Sequence, residues 1–148
     1  MTISLSDVKA GVYGALIGDA VGVPYEFKPP SKIPAYLDID MIPPPGYPRS
    51  WSAIPTGTYS DDGAQVLCLL EHLATSEFDG NTFYATLQRW LEDGYMASGG
   101  LMFDCGNQTM AALRNGHVEA LNEERFNGNG SLMRALPVAL VCDTPDEI

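Results

Sequence analysis

The sequence predicts an all-α protein, and three observations support this fold class. Apolar residues recur at helical spacing in several separate segments. No segment shows a convincing alternation of apolar and polar residues, the pattern of a half-buried strand. The one long stretch without helical spacing, residues 24–57, is rich in proline, which excludes regular helix and central strand there. A stretch of this length in a compact domain is often functional.

The first predicted helix spans roughly residues 5–20. Ser4 and Asp7 have the spacing of a capping box ahead of a periodic apolar run. The glycines of this helix recur at steps of three, four and four and therefore share one face: Gly11, Gly14, Gly18 and Gly22. Such a stripe is typical of close approach by another backbone or a ligand, and we expect tight helix packing there.

Four further helices are predicted along the chain. The first begins at Ser60, and the second spans Thr82–Glu92. The third spans Gly106–Asn115, and the fourth spans Ser131–Val141. The pair Asn115-Gly116 should end the third of these, and Pro137 should kink or restrict the last.

Composition narrows the class of protein. The chain of 148 residues has the length of one domain, and its 45% hydrophobic residues can form a core. A net charge of -11 excludes nucleic acid and anionic membranes as general partners and suits carboxylate sites for hard cations. The sequence contains neither a membrane-spanning run nor a signal-peptide pattern, so we expect a cytoplasmic protein. The three dispersed cysteines predict no disulfide framework and no structural zinc site.

The triplet Ser60-Asp61-Asp62 has two interpretations. Ser60 is a good N-cap, and acidic residues in the first turn favour the positive end of a helix dipole. The same hydroxyl and two carboxylates are also suitable oxygen ligands for Mg²⁺ or Mn²⁺. His72 lies about 16 Å further along the helix and cannot join them, so we expect a surface or interface histidine.

The glycine-rich segment 127–131 precedes the last predicted helix. Free backbone N–H groups at such a junction can bind phosphate, but for the segment taken alone a flexible turn capped by Ser131 is the preferred interpretation. Two acidic residues also stand near helix ends, namely Glu26 in the proline-rich stretch and Asp104 just before the helix predicted from Gly106.

Four motifs in order resemble the ADP-ribosylglycohydrolase family over essentially the whole chain. They are GALIGDAVGVPYEF, TYSDDGAQVLCLLEHL, FDCGNQTMAALRNG and NGNGSLMRALPVAL. The resemblance implies an all-α orthogonal helical bundle with two Mg²⁺ or Mn²⁺ ions in a cleft. It implies hydrolysis of the glycosidic bond between ADP-ribose and an acceptor, either a protein side chain or a small molecule.

The resemblance also implies roles for individual residues. Ser60, Asp61 and Asp62 match the metal-binding triplet of the family. Glu26 matches a loop glutamate that is needed for catalysis and contacts the metals in some members, and Asp104 matches an acid near the scissile bond.

A loop that wraps the diphosphate and ribose is matched by four consecutive residues: Gly128, Asn129, Gly130 and Ser131. Some relatives stack the adenine on an aromatic residue just before this loop. Here that position is Asn127, so Phe126 is the candidate for the stacking role.

The family's second half is missing from the sequence. The Asp-x-Asp-Thr motif that supplies further metal ligands in the family is absent. Residues 144–147 have the sequence pattern of a helix start, just before the sequence stops. We therefore expect residues 1–148 to be the N-terminal, truncated part of one helical domain, with an incomplete metal site. A second chain or a homo-oligomer would complete the site and cover exposed apolar faces.

Two alternatives to an enzyme stay open. The first is a non-catalytic module that binds ADP-ribose or a partner. The second is a plain helical interaction domain in which the Ser-Asp-Asp and Asn-Gly segments are only caps and turns.

Overall fold

The computed structural model describes residues 4–75, 77–116 and 124–142. These ranges contain helices α1 (Leu5–Gly22), α2 (Asp61–Thr75), α3 (Gly80–Asp93), α4 (Asn107–Asn115) and α5 (Ala135–Val141). Short 3-10 turns occur between them, and the described ranges contain no strand. The all-α prediction is confirmed. None of the helices in the described part of the chain is both long and apolar enough to cross a membrane.

Helix α1 begins with the predicted capping box. The amide of Asp7 donates to the Ser4 hydroxyl at 3.2 Å, and the amide of Ser4 donates to the Asp7 carboxylate at 3.0 Å. Two of the N–H groups that a helix start leaves free thereby gain partners.

The prediction of tight packing along the glycine face of α1 is wrong. A Cβ atom added at Gly14, Gly18 or Gly22 would meet no atom of the described residues within 4 Å. The close approach occurs at Gly63 of α2 instead, where a Cβ would lie 2.8 Å from the Tyr59 ring and 2.9 Å from Leu16 of α1. Glycine at position 63 is therefore what lets α1 approach the start of α2.

Helix α2 is the centre of the described fold and packs against α1, α3 and α5. The core is a cluster of side chains from α2, α3 and α4: Ala64, Cys68, Leu87, Trp90 and Leu113. Burying this apolar surface holds the three helices together. This packing holds α2, and with it the start of the helix, in a fixed position.

His72 corrects a second expectation, because it is buried rather than at the surface. Its Nε2 accepts a hydrogen bond of 3.1 Å from the amide of Asp79, and its ring contacts Phe78 and Phe83. The chain turns back after α2, which brings the start of α3 over this imidazole.

The last helix is shorter than predicted. A 3-10 turn over Leu132–Arg134 precedes α5, which begins only at Ala135. Pro137 therefore lies in the first turn, where its missing N–H costs no intrahelical hydrogen bond. The helix start predicted at residues 144–147 lies outside the described residues. Helix α4 matches its prediction closely, with Gly106 as N-cap and Gly116 as a left-handed C-cap.

The proline-rich stretch forms an irregular loop with three short 3-10 turns, as its composition predicts. Internal hydrogen bonds fold it back on itself. The Ser50 amide donates to the Pro24 carbonyl at 3.1 Å, and the Tyr25 hydroxyl donates to the Asp40 carbonyl at 2.8 Å. This closure brings the two ends of the loop, near Glu26 and Trp51, into contact.

Candidate active site

Asp19, in the last turn of α1, fixes the start of α2. Its carboxylate accepts hydrogen bonds from the Ser60 amide at 2.9 Å, the Ser60 hydroxyl at 2.9 Å and the Gly63 amide at 2.8 Å. Burial raises the pKa of Asp19, although these three donors oppose the rise. Asp19 was not among the predicted site residues. The available signal was an acid standing between Gly18 and Ala20 in an otherwise apolar stretch.

The Ser60-Asp61-Asp62 triplet forms the tip of α2, but its three side chains differ in exposure. Ser60 and Asp61 are buried, whereas Asp62 is exposed. The Ser60 hydroxyl donates to Asp19 and accepts a 3.2 Å hydrogen bond from the Asp62 amide, so Ser60 also caps the helix. The capping interpretation is thus satisfied in the structure, and the cap uses neither aspartate carboxylate.

A chain of two hydrogen bonds connects Asp61 to a half-buried arginine. Gln65, with no exposed surface, donates to the Asp61 carboxylate at 3.4 Å and accepts from the Arg134 guanidinium. Partial burial lowers the pKa of Arg134, and the charges of Asp61 and Asp62 partly restore it. Gln65 and Arg134 were not predicted as site residues, because they are 69 residues apart and meet only in the fold.

The Asp61 carboxyl group is electrostatically unusual. It is 7% exposed. Burial, reinforced by the negative charges of Asp104, Asp62 and Asp19, raises its pKa to about 7. A positive ion beside this group would therefore be strongly favoured at neutral pH.

Glu26 reaches the same region from the proline-rich loop. Trp51 donates its indole N–H to the Glu26 carboxylate, and the Ser50 hydroxyl donates to the Glu26 carbonyl. Burial, followed by the charge of Asp104 and a hydrogen bond between the two carboxyl groups, raises the pKa of Glu26 to about 7. The Trp51 hydrogen bond opposes this rise. Glu26 can therefore both hold and release a proton near neutral pH.

Two residues at the site have left-handed backbone conformations although they are not glycine. Phe27 has a φ of 57° and Asp104 a φ of 55°. Such a conformation is unfavourable for a bulky side chain such as Phe27, whereas aspartate adopts it more readily, and conformations of this kind cluster at functional sites. Asp104 lies just before α4 and lines the same cavity as Glu26, Asp61 and Asp62.

A cavity of about 400 Å³ collects most of the predicted site residues. Its lining combines four acids, the start of α4, two phenylalanines and the glycine-rich loop: Glu26, Phe27, Asp61, Asp62, Asp104, Gly106, Asn107, Gln108, Thr109, Phe126, Gly128, Asn129 and Gly130. Segments more than 100 residues apart in sequence thus meet in one cavity, which has the size of a small-molecule site.

Two predicted residues lie outside this lining. Ser60 is buried behind the aspartates, and Ser131 lines a separate apolar groove. The glycine-rich loop also does not run straight into a helix, because the 3-10 turn intervenes. The Leu132 amide already donates to the Asn129 carbonyl at 2.9 Å. The glycine-rich loop is therefore followed by a 3-10 turn and not directly by the N-terminus of an α-helix.

The donor chemistry of the cavity fits a hard divalent cation. Carboxylates that raise one another's pKa gain a compensating charge when such an ion binds. Among the described residues, however, no three His, Cys, Asp or Glu side chains converge closely enough to hold an ion by themselves. Water, substrate or further polypeptide would have to complete the coordination.

Comparison with known proteins identifies relatives of the chain. The chain matches the ADP-ribosylglycohydrolase family over residues 2–148. It is 32% identical to the ADP-ribosylarginine hydrolase Tri1 of Pseudomonas putida (strain GB-1), over 93% of this chain and 36% of the relative. It is 31% identical to the protein of the same name from Serratia proteamaculans (strain 568), over 93% of this chain and 37% of the relative.

The chain spans little more than a third of the length of these two relatives. No solved structure matches it significantly. The family match covers nearly every residue, and the matched motifs carry the acids and the glycine-rich loop of the cavity. The chain belongs to the ADP-ribosylglycohydrolase family.

Proposed function

We propose that the protein takes part in metal-dependent hydrolysis of the glycosidic bond between ADP-ribose and an acceptor. The observation that carries this proposal is the meeting of four carboxylates with the Gly128–Gly130 loop in one cavity. The two relatives are named ADP-ribosylarginine hydrolases, which makes an arginine side chain the first acceptor to test. An ADP-ribosylated protein or an ADP-ribosyl small molecule would be the substrate.

The residues divide into three proposed roles. Asp61 and Asp62, with Ser60 behind them, hold Mg²⁺ or Mn²⁺. When bound, the cation orients substrate oxygens and lowers the pKa of bound water. The loop formed by Gly128, Asn129 and Gly130 binds the diphosphate and ribose, and the Phe126 ring receives the adenine.

Glu26 and Asp104 act at the scissile bond. In the reaction, the bond from ribose C1″ to the acceptor breaks through an oxocarbenium-like transition state, and a water oxygen bonds to C1″. The water proton passes to a carboxylate, and the acceptor leaves with a proton supplied by the site. Glu26 suits this exchange because its pKa is raised to about 7, so that near neutral pH its carboxyl group can either donate or accept a proton.

The remaining ligands of the cation would come from water, from substrate or from another polypeptide. The relatives contain sequence beyond the matched region, and a second chain or a further copy could supply the same groups. A cytoplasmic location stays a prediction.

The direct test is release of ADP-ribose from ADP-ribosylarginine with Mn²⁺ or Mg²⁺. Replacing Asp61 with Asn should lower the rate by about 100-fold or more, because even outer-shell changes at metal sites cost 10–100-fold. Glu92→Gln removes an exposed charge on α3, away from the cavity, and should leave the rate unchanged.

The outcomes separate the candidate functions. Metal-dependent release that requires Asp61 supports hydrolysis. Binding of ADP-ribose without release would replace the enzyme with a binding module. If the protein neither binds ADP-ribose nor releases it, the family site has lost its function and a helical interaction domain is left.

A further inference from the structure

Phe27 is an exposed aromatic residue held in an unfavourable backbone conformation at the wall of the cavity. Its side chain is 80% exposed, and its φ of 57° is rare for a bulky residue. Single exposed apolar side chains are common on protein surfaces. Here, however, the fold maintains backbone strain at the residue that presents this ring, and such strain is typically found at functional positions.

The orientation of the Phe27 ring is set by a second aromatic side chain. Its ring centroid lies 6.1 Å from that of Trp51, edge to face at 68°. Trp51 in turn lies 5.3 Å from Phe103, at 62°. Edge-to-face pairs of this kind stabilise a fixed ring geometry. Phe27 is therefore the outermost member of a supported aromatic cluster formed by Phe27, Trp51 and Phe103.

This aromatic cluster flanks the two acids that we place at the scissile bond. Phe27 follows Glu26 in the chain, Phe103 precedes Asp104, and Trp51 donates its indole N–H to Glu26. With Glu26 and Asp104 at the scissile bond, as in the proposed function, the group bonded to ribose C1″ would lie near these carboxyl groups. The aromatic cluster would then border the acceptor.

An aromatic face beside carboxylates recognises planar cations. A guanidinium stacks on aromatic rings and pairs with carboxylate oxygens, and both contacts strengthen as water is excluded. Among the described residues, the cavity lining contains four acids and neither lysine nor arginine, so no basic side chain of the lining repels a cationic acceptor. A neutral hydroxyl acceptor would gain nothing from the ring.

We propose that Phe27 determines acceptor specificity by receiving a planar cationic group, such as a guanidinium, on its exposed ring face beside Glu26. The inference rests on the proposed function and adds to it the residue that selects the acceptor. It requires only side chains that the cavity already presents.

The test compares two substrates that share ADP-ribose and differ in the acceptor. One is ADP-ribosylarginine and the other is an ADP-ribosylserine peptide. Phe27→Leu should lower kcat/KM for the arginine substrate by about three- to ten-fold, through KM, because a partly exposed cation–π contact is lost. It should change kcat/KM for the serine substrate by less than about two-fold. Phe27→Tyr keeps the ring face and should retain the preference for arginine.

Tyr36→Leu is the matched control. Tyr36 is 87% exposed on the same loop but does not line the cavity, so its loss should affect neither substrate. Both positions are exposed, and thermal unfolding should confirm that each variant folds like the unchanged protein. Calorimetric affinity for ADP-ribosylarginine relative to ADP-ribose gives the same comparison without turnover.

The results can overturn this inference separately from the proposed function. If Phe27→Leu weakens both substrates equally, or changes neither, the acceptor role is wrong while hydrolysis stands. Release from the serine substrate alone would also contradict the acceptor role and leave hydrolysis intact. If the unchanged protein neither binds ADP-ribose nor acts on either substrate, the proposed function fails, and the acceptor role fails with it.

Discussion

Helix α2 lines two cavities of opposite chemistry. Its first turn contributes Asp61 and Asp62 to the acidic cavity of about 400 Å³. Its later turns contribute Leu69 and Leu73 to a groove of about 510 Å³ between α2, α3 and α5. The described lining of the groove is mostly apolar and contains no carboxylate. Helix α2 thus presents carboxylates at its N-terminus, where the helix dipole is positive, and an apolar packing surface along its later turns.

Arg134 connects the two regions through hydrogen bonds. It lines the mostly apolar groove, and its guanidinium donates to Gln65, which donates to Asp61 in the acidic cavity. The half-buried positive charge is held near the acids without lining their cavity. The two regions therefore differ in the ligands that they offer: the cavity presents carboxylates to a cation, whereas the groove presents a mostly apolar surface without a carboxylate.

The largest effect is expected from the residue that holds the acidic end of α2 in place. Asp19→Ala removes three hydrogen bonds to a charged acceptor and leaves the Ser60 and Gly63 amides without that partner. We expect the free energy of unfolding to fall by about 3 kcal/mol, since one hydrogen bond to a charged group contributes about 1.5–3 kcal/mol. Urea denaturation monitored by circular dichroism measures this change.

Asp7→Ala provides the control on the same helix. Asp7 belongs to an exposed capping box, and its loss should cost about 1 kcal/mol. Asp19→Asn, which retains an acceptor oxygen, should lie between the two. A smaller loss of unfolding free energy for Asp19→Ala than for Asp7→Ala would contradict the role of Asp19 in fixing the start of α2.

The second effect distinguishes the cavity from the groove by pH. The pKa of Asp61 and that of Glu26 are each raised to about 7, so the folded protein binds more protons than the unfolded chain between about pH 4 and 7. The stabilisation that these two groups contribute is fully present below the pKa that they have in the unfolded chain. It is lost as pH rises through about 7. With chelator present, we expect the protein to be less stable at pH 8 than at pH 5, by about 2 kcal/mol.

Asp61→Asn should remove much of this pH dependence, because the amide does not ionise. Thermal unfolding of both proteins at pH 5 and pH 8 provides the measurement. A Mg²⁺-dependent rise in Tm at pH 8, present only with Asp61, would link the same charge to cation binding. Equal stability of the unchanged protein at the two pH values would mean that ionising these carboxyl groups does not destabilise the folded state.

The smallest effect is expected in the groove. Phe78 is largely exposed and packs only against the His72 and Phe83 rings among the described aromatic contacts. Phe78→Ala should lower the free energy of unfolding by about 1 kcal/mol, the contribution of an aromatic pair. Release of ADP-ribose should be unchanged. An equal loss of stability and activity would show that the two regions are not separate.

Helix positions were largely predictable from the sequence because they depend on local patterns. The capping box at Ser4, the apolar stripe of α2 and the Gly116 end of α4 each act within a few residues. Predictions that required knowledge of neighbours failed. Three of the four positions on the glycine face of α1 have no close neighbour in the described part of the chain, and His72 is covered by a segment that turns back over it. Periodicity indicates which face is apolar but not what lies against it.

The site was predictable as a set of residues but not as a network. The family motifs identified the acids, Phe126 and the glycine-rich loop that line the cavity. Asp19 and the Gln65–Arg134 pair were missed because their contacts span 41 and 69 residues and leave no local pattern. The support beneath the aspartates thus comes from long-range hydrogen bonds, which motif spacing does not encode.

The hydrogen bond from Trp51 to Glu26 gives the molecule an internal optical reporter. The chain contains two tryptophans, and Trp90 is fully enclosed in the core, remote from changes in solvent. Trp51 instead has its indole N–H on a carboxylate whose charge changes near neutral pH. Indole emission responds to neighbouring charge, so fluorescence from one side chain follows the state of the cavity while the other supplies a constant background.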